Sequence, residues 1–169
     1  MTIMQSLSAA VWVLAAAVAT QDVPAKGGGP EARTETRHLT IATSSSAPVV
    51  APGKRVSLLA DVTPKPKMHV YAPGQDGYIA ISLTLEPSPM FTAGKVKYPA
   101  GEKILMPILK ETQIVYAKPF RIAQEISLRP AAAPGSAPVT VKGTIRYQAC
   151  DDTICYLPTN VPVQWTITK

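Results

Sequence analysis

The segment VTVKGTIRY, residues 139–147, alternates apolar and polar side chains along most of its length. Val139, Val141, Ile145 and Tyr147 would share one face, while Lys142 and its alternate neighbours take the other. A period of two is typical of a β-strand that turns one face to a core and the other to solvent. This segment therefore predicts a half-buried strand.

The same period recurs along most of the chain. It is found in RVSLLADV (55–62), IAISLTLE (79–86), FRIAQEISL (120–128) and VPVQWTIT (161–168). Pro, Gly or Asn bounds each run, no long stretch has apolar residues at helical spacing, and the 17 prolines disfavour long helices. We predict six to eight antiparallel strands in an all-β domain, an immunoglobulin-like antiparallel β-sandwich. A β-barrel is the main alternative.

The first part of the chain has a different composition. Residues 1–19 carry no charge, include an apolar run and end in a small-x-small site, which predicts a signal peptide cleaved near Ala19. An uncleaved anchor helix is the alternative. Residues 20–34, rich in Gly, Pro and charge, predict a flexible linker, and residues 35–169 the domain. No later stretch approaches the ~20 apolar residues of a membrane span. We expect a periplasmic or otherwise secreted protein with no membrane span in the mature chain.

Charge and motifs exclude several classes of function. The net charge is +6, but Lys and Arg are scattered singly without interleaved aromatics, so no nucleic-acid partner is expected. The chain has no C-x-x-C, G-x-S-x-G or H-E-x-x-H motif, and no cofactor is expected. Met68, Met90 and Met106 are soft ligands that would suit Cu(I) together with cysteines, but their spacing forms no motif and packing is the favoured role.

The only two cysteines, Cys150 and Cys155, lie in YQACDDTICYLP, residues 147–158. In a hairpin they would face each other, and in an exported protein they would be bonded. By alternation Cys150 falls on the face opposite Ala149, which predicts a position away from the core. The bond would close a six-residue loop and add only about 2 kcal/mol of stability. The residues alone leave a redox pair and a structural staple both open, while a metal site is disfavoured because no third Cys or nearby His is present.

The carboxylates of Asp151 and Asp152 disfavour a thiolate on Cys150, because reactive thiols prefer positive surroundings. Cys155 is farther from both carboxylates along the chain. If one sulfur attacks a partner, Cys155 is therefore the better candidate, with Cys150 resolving the mixed disulfide.

The stretch YQACDDTICYLP resembles the cysteine motif of the N-terminal periplasmic domain of the transmembrane thiol:disulfide interchange protein DsbD and its relatives. In that family a Tyr-Gln-x-Cys strand, an acidic turn and Cys-Tyr-x-Pro form one hairpin. KMHVYAPGQDGY (67–78) is similar to the family's aromatic segment. YPAGEKILMPILKETQIVYAKPF (98–120) is similar to its loop, cap and following strand. The resemblance covers roughly residues 36–168.

The resemblance implies an immunoglobulin-like domain that takes electrons from a thioredoxin-like domain and passes them to periplasmic acceptors. It implies that Cys155 attacks and Cys150 is its partner, with segment 104–109, ILMPIL, as a cap over the pair. The supporting or cap residues are His69, Tyr71, Leu105, Met106, Tyr147, Asp151, Asp152 and Tyr156. His69 would either tune the thiol pKa as a charged imidazole or be a plain strand residue. The tyrosines, including Tyr78, would line a partner groove or simply pack.

The sequence departs from the family pattern in three respects. The spacing is C-x4-C, one residue shorter than in the best-known members. The cap offers apolar residues in place of acids and an aromatic. The sequence holds neither the membrane-embedded nor the thioredoxin-like domain. We therefore expect the reductant to be another chain, thioredoxin-like or a DsbD-type membrane reductase, and the other partners to be periplasmic disulfide proteins. The alternative function is a non-catalytic binding module whose hairpin disulfide is structural.

Overall fold

The computed structural model describes residues 32–106, 110–130 and 137–168. Within these ranges the chain forms twelve β-strands and no α-helix. The strands are β1 (Ala32–Glu35), β2 (Leu39–Ser45), β3 (Arg55–Pro64), β4 (His69–Tyr71), β5 (Ser82–Leu85), β6 (Phe91–Lys97), β7 (Glu102–Met106), β8 (Glu111–Tyr116), β9 (Phe120–Leu128), β10 (Val139–Tyr147), β11 (Ala149–Cys150) and β12 (Thr159–Ile167). The predicted signal peptide, linker residues 20–31 and cap residues 107–109 lie outside the described residues.

The strands form three sheets in which all pairings are antiparallel. The first sheet has the order β1-β2-β3-β9-β6, the second β12-β10-β5 and the third β11-β4-β8-β7. The first and second sheets pack against each other, and the indole nitrogen of Trp165 in β12 donates a 2.9 Å hydrogen bond to the carbonyl oxygen of Leu59 in β3. This layered packing of antiparallel sheets confirms the all-β prediction.

The main core lies between these layers. The predicted inward faces are buried as expected: Val56, Leu58, Ala60 and Val62 of β3 are at most 2% exposed. On β12, Val161, Val163, Trp165 and Ile167 are at most 5% exposed. Their polar alternates remain at or near the surface, so the alternation in the sequence reports which side of each strand meets the core.

The first described strand, β1, overlaps the end of the segment 20–34 that the sequence predicts as linker. β1 starts at Ala32 and pairs with β2 as an edge strand, with Ala32 opposite Thr43. Its side chains are mostly exposed, and Arg33 forms an ion pair with Glu35 at 3.2 Å. A strand with no apolar face has no period-two signal, which is why its sequence reads as linker.

The third sheet carries the cysteine hairpin, and the chain enters this sheet where the long strand β10 is interrupted. β10 ends at Tyr147, and after Gln148 the chain enters β11, which pairs with β4 in the third sheet. The Gln148 side chain spans the break, because its Oε1 accepts from the Ile79 amide at 3.3 Å and its Nε2 donates to the Tyr156 carbonyl at 3.2 Å.

The third sheet also has a small core of its own. Tyr71, Val115 and Cys150 form this cluster, with Tyr78 and Ile104 among the half-buried residues packed against it. Among the described residues, no helix has the length and apolar character needed to cross a membrane.

Candidate active site

The two cysteines face each other across a tight hairpin and are bonded to each other. Cys150 and Cys155 form an isolated antiparallel bridge, with their Cα atoms 4.0 Å apart and a disulfide between them. Inside the bridge the Asp151 amide donates to the Ile154 carbonyl at 2.9 Å, and outside it the Tyr156 amide donates to the Ala149 carbonyl at 2.8 Å. The predicted pairing across a four-residue turn is confirmed.

The carboxylate of Asp151 holds the turn together. Its Oδ1 accepts hydrogen bonds from the Thr153 amide and hydroxyl, both at 2.8 Å, and from the Ile154 amide at 2.9 Å. Its Oδ2 accepts from the Tyr156 hydroxyl at 2.9 Å. These hydrogen bonds, the backbone ones foremost, hold the pKa of Asp151 far below its usual range. The acidic turn is thus a structural clamp.

The two sulfur-bearing residues differ sharply in exposure. Cys155 is exposed, whereas Cys150 is only 2% exposed. Cys150 does take the opposite side of β11 from Ala149, since Ala149 belongs to the main core and Cys150 to the small cluster with Tyr71 and Val115. The expectation that this side lies away from a core is wrong, because the third sheet builds a second core there.

The hydroxyl of Tyr71 contacts both sulfurs. Its Oη lies 3.2 Å from Cys150 Sγ and 3.4 Å from Cys155 Sγ. Sulfurs in a disulfide carry no hydrogen, so the hydroxyl is the donor to either of them. Burial, with a smaller contribution from Tyr78 and Glu111, raises the pKa of Tyr71 to about 12. Tyr71 therefore remains a protonated donor throughout the neutral pH range.

The Tyr71 ring stacks on Tyr78, whose hydroxyl belongs to a small network of hydrogen bonds. The Tyr78 ring stacks on the Tyr71 ring with centroids 4.2 Å apart, and the Tyr78 hydroxyl donates to Glu111 Oε1 at 2.5 Å. The buried Gln113 donates from Nε2 to the same oxygen at 2.6 Å. These two hydrogen bonds lower the pKa of Glu111. The sequence pattern does not single out Glu111 or Gln113, although two polar residues share the face of β8 that carries Val115.

His69 lies beside the pair and is buried with Cys150. It is the register partner of Cys150 on β4, is 6% exposed and meets the Tyr71 ring edge-on at 6.0 Å. Burial lowers its pKa, although Asp152 and Asp151 act in the opposite direction. Burial thus works against the charged imidazole considered from the sequence, and an effect of His69 on the thiol pKa stays a prediction. Its Nε2 is buried with no hydrogen-bond partner among the described residues.

A cavity of about 540 Å³ opens beside the disulfide. The lining residues come from the cysteine hairpin, from strands β4, β7 and β8 and from the segment between β4 and β5. They are His69, Tyr71, Tyr78, Met106, Gln113, Cys150, Asp151, Asp152, Thr153, Ile154 and Cys155. Within the described residues no group of three or more His, Cys, Asp or Glu side chains could hold a metal ion.

Five predicted supporting residues thus meet at the cavity, and three lie elsewhere. Leu105 is 64% exposed and is not among the lining residues. Tyr147 is fully buried in the main core, where its hydroxyl lies 3.0 Å from Thr36 Oγ1. Tyr156 holds Asp151 from outside the cavity, packed on the His38 ring with centroids 4.5 Å apart.

A protein-family comparison decides the affiliation of the chain. The model of the family described as thiol:disulfide interchange protein DsbD, N-terminal, matches residues 39–165. The chain belongs to this family. The resemblance stated from the cysteine motif is therefore confirmed, and so is the immunoglobulin-like antiparallel β-sandwich. Family membership and the disulfide together make the chain a thiol–disulfide interchange domain.

Among solved structures, the chain is similar to the N-terminal periplasmic domain of ScsB from Proteus mirabilis, with 12% identity and a TM-score of 0.56. The match covers 79% of this chain and 49% of that one, so the chain spans about half the length of that structure. The reduced N-terminal domain of Neisseria meningitidis DsbD matches with 18% identity and a TM-score of 0.45, covering 72% of this chain and 82% of that one. No curated protein matches the chain in a sequence comparison.

Proposed function

We propose that the chain is an extracytoplasmic electron carrier that exchanges its Cys150–Cys155 disulfide with partner proteins. The observation that carries the proposal is the unequal exposure of the pair, with Cys155 open to solvent and Cys150 enclosed. A partner thiolate must reach a sulfur in order to attack it, and Cys155 is by far the more exposed residue of the pair. The donor would be a thioredoxin-like protein or a DsbD-type membrane reductase, and the acceptors oxidised periplasmic proteins. We further propose that the chain is exported after cleavage near Ala19.

The exchange proceeds through one mixed disulfide in each direction. When the chain is oxidised, a donor thiolate attacks Cys155 Sγ, the Cys150–Cys155 bond breaks, and Cys150 leaves as a thiolate. The second donor thiolate then attacks the donor sulfur and releases Cys155, so that two electrons have entered the chain. When the chain is reduced, the Cys155 thiolate attacks an acceptor disulfide and expels one acceptor thiolate. Cys150 then attacks Cys155 Sγ, expels the other and restores the bond.

Two supporting residues would act through the sulfurs and the turn. The Tyr71 hydroxyl, already within 3.4 Å of both sulfurs, would donate to whichever sulfur becomes a thiolate. Asp151 would act as a positioning residue, because its hydrogen bonds fix the turn that keeps Cys150 opposite Cys155.

The surface around the hairpin supports a protein partner. Within the described residues four large apolar side chains are exposed, and two of them lie in or just after the cysteine hairpin, Ile154 at 55% and Leu157 at 87%, while a third, Leu105 at 64%, lies outside the cavity lining. Leu157 is two positions after Cys155, Ile154 lines the cavity, and Leu105 adjoins the cavity residue Met106. Exposed apolar groups around a polar reactive centre are typical of protein contact sites. We assign this rim, including Leu105 of the cap, to partner docking and to shielding of the sulfurs.

Trapping separates the roles of the two cysteines. Cys150→Ser leaves the attacking thiol without its resolving partner, so it should accumulate adducts that run as larger species on non-reducing gels and collapse with dithiothreitol. Cys155→Ser should accumulate none, and the doubly substituted chain is the matched control. The reverse pattern, or no adduct with either variant, contradicts the proposed roles.

The reduction potential tests the exchange activity independently of any partner. Equilibration against thiol buffers should give a value in the range of about −120 to −270 mV that working oxidoreductases span. A value below about −300 mV would mark the disulfide as structural and would overturn the proposal.

A further inference from the structure

The segment that leaves the cysteine hairpin gives the third sheet an open edge. The described order of this sheet begins at β11, and Cys155 lies beyond β11 through its isolated bridge to Cys150. The hydrogen bonds of the bridge are made by the flanking residues, and the two Cα atoms are 4.0 Å apart, as in an antiparallel pair of the non-hydrogen-bonded type. In that type the N–H and C=O groups of the opposed residues point away from each other. The backbone groups of Cys155 therefore face outward.

Three backbone groups along this edge are available to another chain. Within the chain segments that the structure describes, the amide and carbonyl of Cys155 and the amide of Leu157 have no hydrogen-bond partner. Tyr156, between them, turns its amide and carbonyl to the inner side, where both are hydrogen-bonded. Pro158 follows and has no N–H, so the edge ends there. We call residues 155–157 the Cys155 edge.

We propose that the acceptor docks an extended segment on the Cys155 edge as an added antiparallel strand, with its reacting cysteine opposite Cys155. The inference rests on the proposed function and names the kind of partner that it takes. An unpaired strand edge is a template for pairing with another chain, and alternate side chains then supply specificity. In an antiparallel register the residue two positions before the acceptor cysteine lies opposite Leu157. Leu157 is 87% exposed and favours an apolar residue there.

This register places three sulfurs in one row across the sheet. Opposed residues of a hydrogen-bonded antiparallel pair have Cα atoms about 5.5 Å apart, within the range of about 4.4–6.8 Å that a disulfide spans. Their side chains leave the sheet on the same face, and Cys150 lies on that face too because it is bonded to Cys155. Cys155 thus stands between its two alternative bonding partners, which is the alignment that displacement at its sulfur needs.

Strand addition selects the acceptor sulfur that is attacked. In the dithiol form the Cys155 thiolate forms a bond to the cysteine of the added strand, the acceptor disulfide breaks, and its other cysteine leaves as a thiolate. The Cys150 thiolate then bonds to Cys155 Sγ and expels the cysteine of the added strand as a second thiolate. Two electrons have passed to the acceptor, and the Cys150–Cys155 bond is restored. The selected acceptor cysteine lies in an extended segment, with an apolar residue two positions before it.

Transfer rates with peptides test the Cys155 edge. The probe is an extended peptide with valine two positions before its single cysteine, which is bonded to thionitrobenzoate; attack by the reduced chain releases that coloured thiolate. Methylation of the cysteine's own backbone nitrogen removes the donor to the Cys155 carbonyl and should slow release about fivefold, in line with the loss of one net hydrogen bond. Methylation of the preceding nitrogen, which faces away from the edge, is the matched control and should leave the rate unchanged.

The side-chain contact is tested with a second pair of comparisons. Release from the valine peptide should be faster than release from a peptide with serine at that position, and Leu157→Ala should erase the difference. Each rate is divided by the rate of the same peptide with dithiothreitol, which corrects for intrinsic reactivity.

Three results would overturn the docking mode. They are equal slowing by the two methylations, a valine preference that survives Leu157→Ala, and release as fast from a helical peptide with its cysteine in the first turn. Release from none of the peptides would overturn it as well. The reduction potential, measured separately, decides the proposed function, so a chain that exchanges without strand addition is distinguished from one that does not exchange.

Discussion

Tyr71→Phe removes a single hydroxyl that lies 3.2 and 3.4 Å from the two sulfurs and leaves the ring stack with Tyr78 in place. In the dithiol form that hydroxyl is available as a hydrogen-bond donor to the Cys155 thiolate. Its loss should therefore disfavour the thiolate relative to the thiol and slow attack on partner disulfides.

The size of the effect follows from the type of hydrogen bond. Bonds to charged groups contribute about 1.5–3 kcal/mol, and the lower end applies because sulfur is a weak acceptor and the donor is shared. A loss of about 1.4 kcal/mol raises the thiol pKa by about one unit, so at any pH below the pKa the thiolate population falls roughly tenfold. The remaining thiolate is more basic and more nucleophilic, with a Brønsted coefficient of about 0.4–0.5, which recovers roughly threefold of the rate. The net expectation is exchange about three- to fourfold slower at neutral pH.

The assay is the rate of alkylation of the reduced chain by iodoacetamide as a function of pH. In Tyr71→Phe the profile should shift to higher pH. The matched control is Tyr78→Phe, which removes a hydroxyl of the same aromatic pair that donates to Glu111 and not to sulfur. If the two variants shift the profile equally, or if Tyr71→Phe leaves it unchanged, the assigned hydrogen bond to the thiolate is refuted.

Three further outcomes are expected for the stability of the domain. The pKa of Asp151 is lower in the folded chain than in the unfolded chain, where it is about 3.9, so its carboxylate stabilises the fold above that pH and the stabilisation is lost as pH falls toward the folded pKa. Asp151→Ala should therefore flatten the fall in denaturation midpoint below about pH 4. Equal slopes in both proteins would contradict this. Gly101→Ala would place a Cβ 2.6 Å from the Cβ of Ala72, so the free energy of unfolding measured with urea should fall by about 1–3 kcal/mol. An unchanged denaturation midpoint would show that the strands can separate freely. Reducing the disulfide, whose cysteines are five positions apart, should cost only about 2 kcal/mol in the same assay, and a far larger loss would indicate a structural staple.

Much of the fold follows from local alternation. The long strands of the main core, β3, β9, β10 and β12, show a period of two in the sequence, because one face meets apolar neighbours and the other meets water. Trp165, for example, could be assigned to the core from its place on the face of Val161 and Val163. The cysteine hairpin was equally readable, since a four-residue turn between matched residues fixes which of them face each other.

The environment of the site could not be read in the same way. Alternation along one strand gives two sides but does not tell whether residues from elsewhere in the chain cover the polar side. For this reason the burial of Cys150 among Tyr71 and Val115 could not be predicted. The hydrogen-bond network beside the Tyr71–Tyr78 pair could not be predicted for a related reason. Glu111 and Gln113 come from a strand that only the tertiary fold brings beside the aromatic pair. Side chains that meet from segments far apart in the chain leave no spacing signal in a single sequence.

The clamp formed by Asp151 has a consequence for how long the chain stays joined to a partner. The hydrogen bonds from the Thr153 and Ile154 amides to Asp151 hold the turn without involving the sulfurs, so opening the disulfide should release little chain entropy. Cys150 then remains next to Cys155 at a high effective molarity, and ring closure competes strongly with every other fate of the mixed disulfide. A hairpin built in this way favours a brief covalent encounter over a stable complex. Its turn therefore sets the lifetime of the covalent complex, while the sulfurs carry the electrons.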